Sequence, residues 1–231
     1  MTKVFIAGSR HLSRLNADVK LRIDTMIEKG FTILVGDANG ADKAVQRYFA
    51  AKGYRDVIVH CMADNCRNNV ADWPTREIPA PKGARGFAYY ATKDQAMVDD
   101  AEYGLMLWDG ESKGTLNSVI RMIRQDKPVV VYLAPRKAFQ NLRSADDVSE
   151  LLSKCDSASV ERFERELGIE RVLHRHSDQP NAFHHLELAA PVGFASSAPG
   201  ARMLRISETP QYRGPTSQTP RLLATWRPTR E

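Results

Sequence analysis

The strongest constraint on the fold is a hydrophobic period that switches back and forth between short apolar runs and helical stripes. Lys3–Ser9 (KVFIAGS) is an apolar run stopped by Gly8, after which Val19, Leu21, Ile23, Met26 and Ile27 recur largely at helical spacing until Gly30. Phe31–Gly36 (FTILVG) begins the cycle again, with Ala41, Ala44, Val45, Tyr48 and Phe49 as its helical stripe and Gly53 as its end. Asp56–Cys61 (DVIVHC) reads as a third strand, Tyr103–Trp108 (YGLMLW) as a fourth and Val129–Leu133 (VVVYL) as a fifth. Helical stripes precede the last two: Tyr90, Met97, Val98 and Ala101, then Leu116, Val119, Ile120 and Ile123. Strands this apolar, alternating with amphipathic helices, require a parallel sheet covered on both faces. The expected fold is therefore α/β, a Rossmann-like three-layer α/β/α sandwich with about five parallel strands, C-terminal helices and an irregular tail.

Three segments depart from the rhythm. Residues 62–86 carry Asn, Pro, Arg and Gly without a clear period, and so long a loop in a compact domain is more often functional than accidental. Residues 136–168 read as a helical extension, with one helix through Val148, Leu151, Leu152 and Cys155 and another through Val160, Phe163 and Leu167, ending at Gly168. From 169 to 231 Pro, Ser, Thr, Gly and Arg dominate, with more Arg than acidic residues and no Lys. Such a composition buries too little apolar surface to offset its ordering entropy, so an extended or disordered tail is expected. The organisation read from the sequence is a nucleotide-binding domain over 1–135, the extension, and the tail.

Composition narrows the function classes only mildly. A net charge of +5 permits contact with phosphates or nucleic acid without demanding it. Cys61, Cys66 and Cys155 are odd in number and lack paired short spacings, so neither a disulfide framework nor a zinc ribbon is indicated, and a reducing cytoplasm fits best. No apolar run approaches the ~18 residues of a membrane span. His174, His176, His184 and His185 do not form a helix-borne metal pair, and neither a metal nor a cofactor is expected. Folds of this type often assemble as homo-oligomers, and no interface is legible here.

In a doubly wound sheet the ligand lies outside the carboxyl ends of the strands, which selects four loops. In Gly8-Ser9-Arg10-His11 the glycine admits close backbone approach, the serine donates and the arginine holds a phosphate in a fork. Gly36-Asp37-Ala38-Asn39-Gly40-Ala41-Asp42 suits a nest of backbone N–H groups at a helix start, with Asp42 either capping the helix or binding a ribose hydroxyl. Asp109-Gly110-Glu111-Ser112-Lys113-Gly114-Thr115 has the look of a phosphate cradle but lacks the Gly-Lys-Ser/Thr ending of a P-loop. In Tyr89-Tyr90-Ala91-Thr92-Lys93-Asp94-Gln95 the aromatics can stack a base, while Lys93 and Asp94 reach the sugar.

Taken together, GSR at 8–10, GDANGAD at 36–42, KDQAM at 93–97 and WDGESKGT at 108–115 resemble the SLOG superfamily, which includes YspA-like proteins, Lonely-guy phosphoribohydrolases and the DNA-processing protein A fold. In outline the chain is also similar to nucleoside deoxyribosyltransferases. The resemblance covers about residues 1–135 and implies that Gly8, Ser9, Arg10, Gly36, Gly40, Gly114 and Thr115 bind the nucleotide, with Asp109 near the sugar. Asp37, Asp42, Tyr90 and Lys93 join the binding set from the loop reading. The Lonely-guy pattern places glutamates after its Gly-Thr, where this chain has Asn117 and Ser118; the deoxyribosyltransferase nucleophile also falls on Ser118. A serine hydroxyl cannot supply the charge that stabilises an oxocarbenium-like state. Asp94, Asp109 and Glu111 are the carboxylates that can substitute.

The sequence thus points first to a protein that binds a nucleotide or nucleoside derivative by its phosphate–sugar part, as a sensor or binder. The alternatives are an N-glycosidase or deoxyribosyltransferase-like enzyme acting on a nucleoside monophosphate, and a module for single-stranded nucleic acid.

Overall fold

A computed structural model describes residues 1–63 and 65–169. Its strands are β1 (Lys3–Gly8), β2 (Thr32–Gly36), β3 (Val57–Met62), β4 (Thr75–Ile78), β5 (Tyr103–Trp108), β6 (Val129–Leu133) and β7 (Ala138–Leu142). The helices are α1 (Ala17–Glu28), α2 (Ala41–Ala51), α3 (Gly86–Asp100), α4 (Lys113–Ile123), α5 (Ala145–Leu152) and α6 (Ser157–Leu167). They form one sheet in the order β4-β3-β2-β1-β5-β6-β7, parallel throughout except for antiparallel β7 on β6. This is an α/β Rossmann-like fold.

Alternation along the strands explains the layering. Val4 and Ile6 of β1 pack with Val19, Ile23, Val45 and Phe49 of α1 and α2 on one face. Phe5, between them, points into the opposite layer with Met97, Leu116, Val119 and Phe163 of α3, α4 and α6. Because both faces are buried, the strands carry no polar face, which is why they read as continuous apolar runs. Removing a side chain such as the fully buried Phe163 would cost about 3–5 kcal/mol.

The sheet holds two strands more than the five expected. β4 lies inside the 62–86 segment and pairs with β3, His60 opposite Arg76, but at the sheet edge it buries only Ile78 of its four residues. A strand that buries one side chain leaves no hydrophobic run to read. β7 opens the 136–168 segment, after a 3-10 turn and Lys137 at φ 49° turn the chain back along β6. The two helices expected there follow it. α5 opens with a capping box between Ser144 and Asp147, and α6 closes on Gly168 in the left-handed conformation.

The cysteines require a correction. Cys61 and Cys66 are joined by a disulfide, although the sequence reading found no pairing. Its cause is local: Asn65 N–H donates to the Met62 carbonyl, so the chain doubles back at the end of β3 and brings the two Cα atoms to 4.9 Å. Cys155 is free. Among the described residues no helix is long and apolar enough to cross a membrane. Apart from Ile169, which is buried, the expected tail with its four histidines lies outside the described residues.

Candidate functional site

Strand order reverses between β1 and β5, so their carboxyl ends diverge into a crevice. A cavity of about 570 Å³ occupies it. The loop after β1 forms one wall with Gly8, Ser9 and Arg10. The first turns of α3 and α4 form the others, with Gly86, Tyr90, Lys93 and Asp94 from one and Ser112, Gly114, Thr115 and Ser118 from the other.

Close backbone approach builds this crevice. A side chain on Gly8 would collide with the Leu107 carbonyl of β5 and the Ala41 side chain of α2. One on Gly36 would take the space of the Asp42 carboxylate and of Lys93 Nζ, so Gly36 serves the site by leaving room rather than by touching a ligand. Gly40 sits at φ 85° directly beneath the Arg10 backbone. There Ala41 N–H donates to the Ser9 carbonyl, and Ala38 N–H to Asp42 Oδ2 at 3.2 Å. These amides are occupied within the protein, so the nest expected over 36–42 does not form around them.

Asp37 is occupied as well. It accepts Lys93 Nζ at 2.6 Å on Oδ1 and Arg67 through its backbone N–H and Nε, both 3.0 Å, on Oδ2; Arg67 Nη2 reaches Oδ1 at 2.7 Å. With side-chain exposures of 1% for Asp37 and 3% for Lys93, this is a buried ion pair completed by a fork. Burial alone would raise the Asp37 carboxyl; the Arg67 hydrogen bonds and the Lys93 charge outweigh it and hold Asp37 well below the usual carboxylate range. Asp37 also forms a potential cation cluster with the Cys61 and Cys66 sulfurs. The two sulfurs are bonded to each other and the carboxylate already carries two cations, so these groups do not fit a metal.

Asp109 has a positioning role. Its Oδ1 accepts the amides of Glu111 at 3.0 Å and Ser112 at 2.8 Å, while Oδ2 accepts the Ser9 hydroxyl and contacts His11 Nδ1 at 3.2 Å. Burial would raise this carboxyl, and the hydrogen bonds together bring it below its ordinary value. Asp109 ties the β1 loop to the β5 loop and does not line the cavity, so it is poorly placed to meet a sugar. Glu111 does line it, exposed at the rim.

Two charged groups in the cavity remain available. Arg10 makes no ion pair or side-chain hydrogen bond among the described residues; its guanidinium lies 5.3 Å from the Tyr90 ring centroid. Arg67 lies 4.7 Å from the same ring, so a base stacking on Tyr90, as the sequence reading expected, would have to displace one of them. Asp94 makes no hydrogen bond or ion pair among the described residues. Burial raises its carboxyl, opposed by the charges of Lys93, Arg121 and Arg10. Asp42, 7% exposed at the cavity floor, is pushed up to about 6 by burial against the pull of Lys93.

The first turn of α4 also opens on this space. Ser112 caps the helix by accepting Thr115 N–H, and the Leu116 amide goes to the Ser112 carbonyl, which leaves the Lys113 and Gly114 N–H groups ahead of the hydrogen-bond ladder. No side chain covers Gly114 within 4 Å. Ser118 returns its hydroxyl to the Gly114 carbonyl at 3.2 Å.

Arg67, Phe87 and Arg162 also line the cavity and were not among the expected residues. Arg67 follows the carboxyl end of β3, on the same edge as the other loops, so the strand-end rule alone could have found it. Phe87 lies in the first turn of α3. Arg162 had no sequence signal: α6 reaches the site only because it packs over α4, where Arg162 Nη2 donates to the Glu111 carbonyl at 2.8 Å and Glu166 pairs with Lys113 at 2.6 Å.

No known protein family and no curated protein matches the sequence. Among solved structures, the chain is similar to DNA processing protein A from Helicobacter pylori, a study of its single-stranded DNA binding mode, at 18% identity and a TM-score of 0.42 over 72% of this chain and 80% of that one.

Proposed function

We propose that this protein binds a nucleotide or nucleoside derivative by its phosphate–sugar part in the crevice between β1 and β5, in the manner of a SLOG-type domain. The observation that carries this reading is the pairing, in one cavity, of an available guanidinium, Arg10, with an available carboxylate, Asp94. A phosphate takes a guanidinium and the free amides of a helix start, and sugar hydroxyls donate to a carboxylate. Arg10 and the Lys113–Gly114 amides meet the first need and Asp94 the second. Asp94 is also the group that an N-glycosidic reaction would use. Release of free base from nucleoside monophosphates, lost in Asp94→Asn, would assign catalysis as well as binding.

Calorimetry against ribose 5-phosphate and nucleoside monophosphates tests the reading. Arg10→Ala should weaken binding about 10- to 100-fold, the worth of a charged hydrogen bond. If none of these compounds binds, or Arg10→Ala changes nothing, the reading fails. Single-stranded DNA, which the Helicobacter pylori protein binds, is the second reading. In its favour are the exposed Arg10 and Arg85, the latter at the N-cap of α3 beside the cavity-lining Gly86. Oligonucleotide binding that falls steeply with salt, without any affinity for mononucleotides, would select it.

A further inference from the structure

A second cavity, of about 580 Å³, lies on the outer side of α3 against β4 and α4. Phe87 and Ala91 line both cavities, so the two adjoin across one turn of α3. Phe87 is 39% exposed, one of few large apolar side chains left open to solvent among the described residues. Lys113 Nζ lies 4.5 Å from its ring centroid.

The far wall is polar and largely pre-ordered. Asp99 Oδ1 accepts Gln95 Nε2 and Gln125 Nε2, both at 2.6 Å, which fixes the carboxylate and leaves Oδ2 without a hydrogen bond among the described residues. Arg121 uses Nη1 on the Ala91 carbonyl at 2.6 Å. Its other N–H groups make no hydrogen bond among the described residues, and the charges of Asp94 in one cavity and Asp99 in the other both act on it.

We propose that this second cavity is the base subsite of the ligand whose phosphate–sugar part occupies the first, and that its base is guanine, stacked on Phe87 and read by Asp99 and Arg121. The inference rests on the nucleotide reading above. Guanine presents two adjacent N–H donors beside a carbonyl oxygen. A fixed carboxylate with a free oxygen, next to a guanidinium, is the complement of that edge. Adenine offers a single amino donor beside an acceptor nitrogen and leaves both protein groups poorly matched. Tyr90 cannot take the stacking role without loss of the guanidinium contacts of Arg10 and Arg67, whereas Phe87 offers a half-open ring at the boundary.

The test titrates ribose 5-phosphate, GMP and AMP into the full chain, the Phe87→Ala and Asp99→Asn variants, and Arg10→Ala as the control for the phosphate end. GMP should bind at least tenfold tighter than ribose 5-phosphate and tenfold tighter than AMP. Phe87→Ala should bring GMP and AMP about tenfold or more toward ribose 5-phosphate, the usual worth of a stacked base. Asp99→Asn should erase the preference for GMP over AMP and leave ribose 5-phosphate unchanged. Circular dichroism checks that both variants fold. If ribose 5-phosphate binds but neither base adds affinity, the subsite is refuted and the nucleotide reading stands. Equal affinity for GMP and AMP, or a preference that survives Asp99→Asn, refutes guanine recognition. If no compound binds, both readings fall.

Discussion

Two buried groups with opposite titration behaviour set how this protein responds to mild acid. His60 of β3 is fully buried and neither ring nitrogen reaches a hydrogen-bond partner. Burial lowers its pKa from 6.5 to about 4, with Arg76 and Lys93 pushing the same way and Asp100 opposing. The unfolded chain therefore holds the extra proton between those values, and stability falls as pH drops from 6.5 toward 4. Asp42 behaves in the contrary sense. Its folded carboxyl keeps a proton up to about 6 against 3.8 unfolded, so the folded state holds the extra proton and stability rises over nearly the same descent. Each shift spans about 2 pH units, or about 3 kcal/mol. Asp94, raised by burial, adds to the Asp42 side, while Asp37, Asp100 and Asp109 are held low and act mainly below this window. Urea unfolding followed by tryptophan fluorescence from pH 7 to pH 4.5 would expose the opposition. Relative to the parent chain, His60→Leu should gain most of about 3 kcal/mol as pH falls, because only the Asp42 side remains. Asp42→Asn should lose a similar amount over the same range. If both variants track the parent curve in parallel, the burial argument for these two groups is wrong.

Two further expectations concern the walls of the site. Lys93→Met leaves buried Asp37 with Arg67 alone and should destabilise the chain by about 3–5 kcal/mol, most of it recovered by adding Asp37→Asn; a loss below about 1 kcal/mol would show that the Arg67 fork suffices. Gly40→Ala places a side chain at φ 85° against the Arg10 backbone and should cost more than Gly53→Ala, where φ is 66° and nothing lies within 4 Å. The control should cost about 1 kcal/mol, and equal melting losses for the two would refute the close approach.

The legible part of the candidate site was its position. Gly8, Ser9, Arg10, Lys93, Gly114 and Thr115 all follow strands or open helices, and the strand-end rule brings them to one edge of a sheet. Their roles were not legible. Asp37 and Asp109 look like ligand-binding loop acids in sequence, yet each is occupied by partners 56 and 100 residues away in the chain, as Lys93 and Ser9 show. Asp94 is the reverse case, a carboxylate that resembles a helix-start cap and has no partner.

What the sequence alone determined was the layered α/β core, because apolar runs of β-strand length and stripes of helical period follow from local backbone geometry. It missed β4 and β7, whose pairing depends on edge hydrogen bonds rather than on buried side chains. Only the tertiary structure decided which charges remain free. Whether a carboxylate or guanidinium is satisfied depends on groups brought within about 3 Å from distant segments, and no local pattern encodes that distance. That is why Arg10 and Asp94 stand out in the folded chain and are indistinguishable from their neighbours in the sequence.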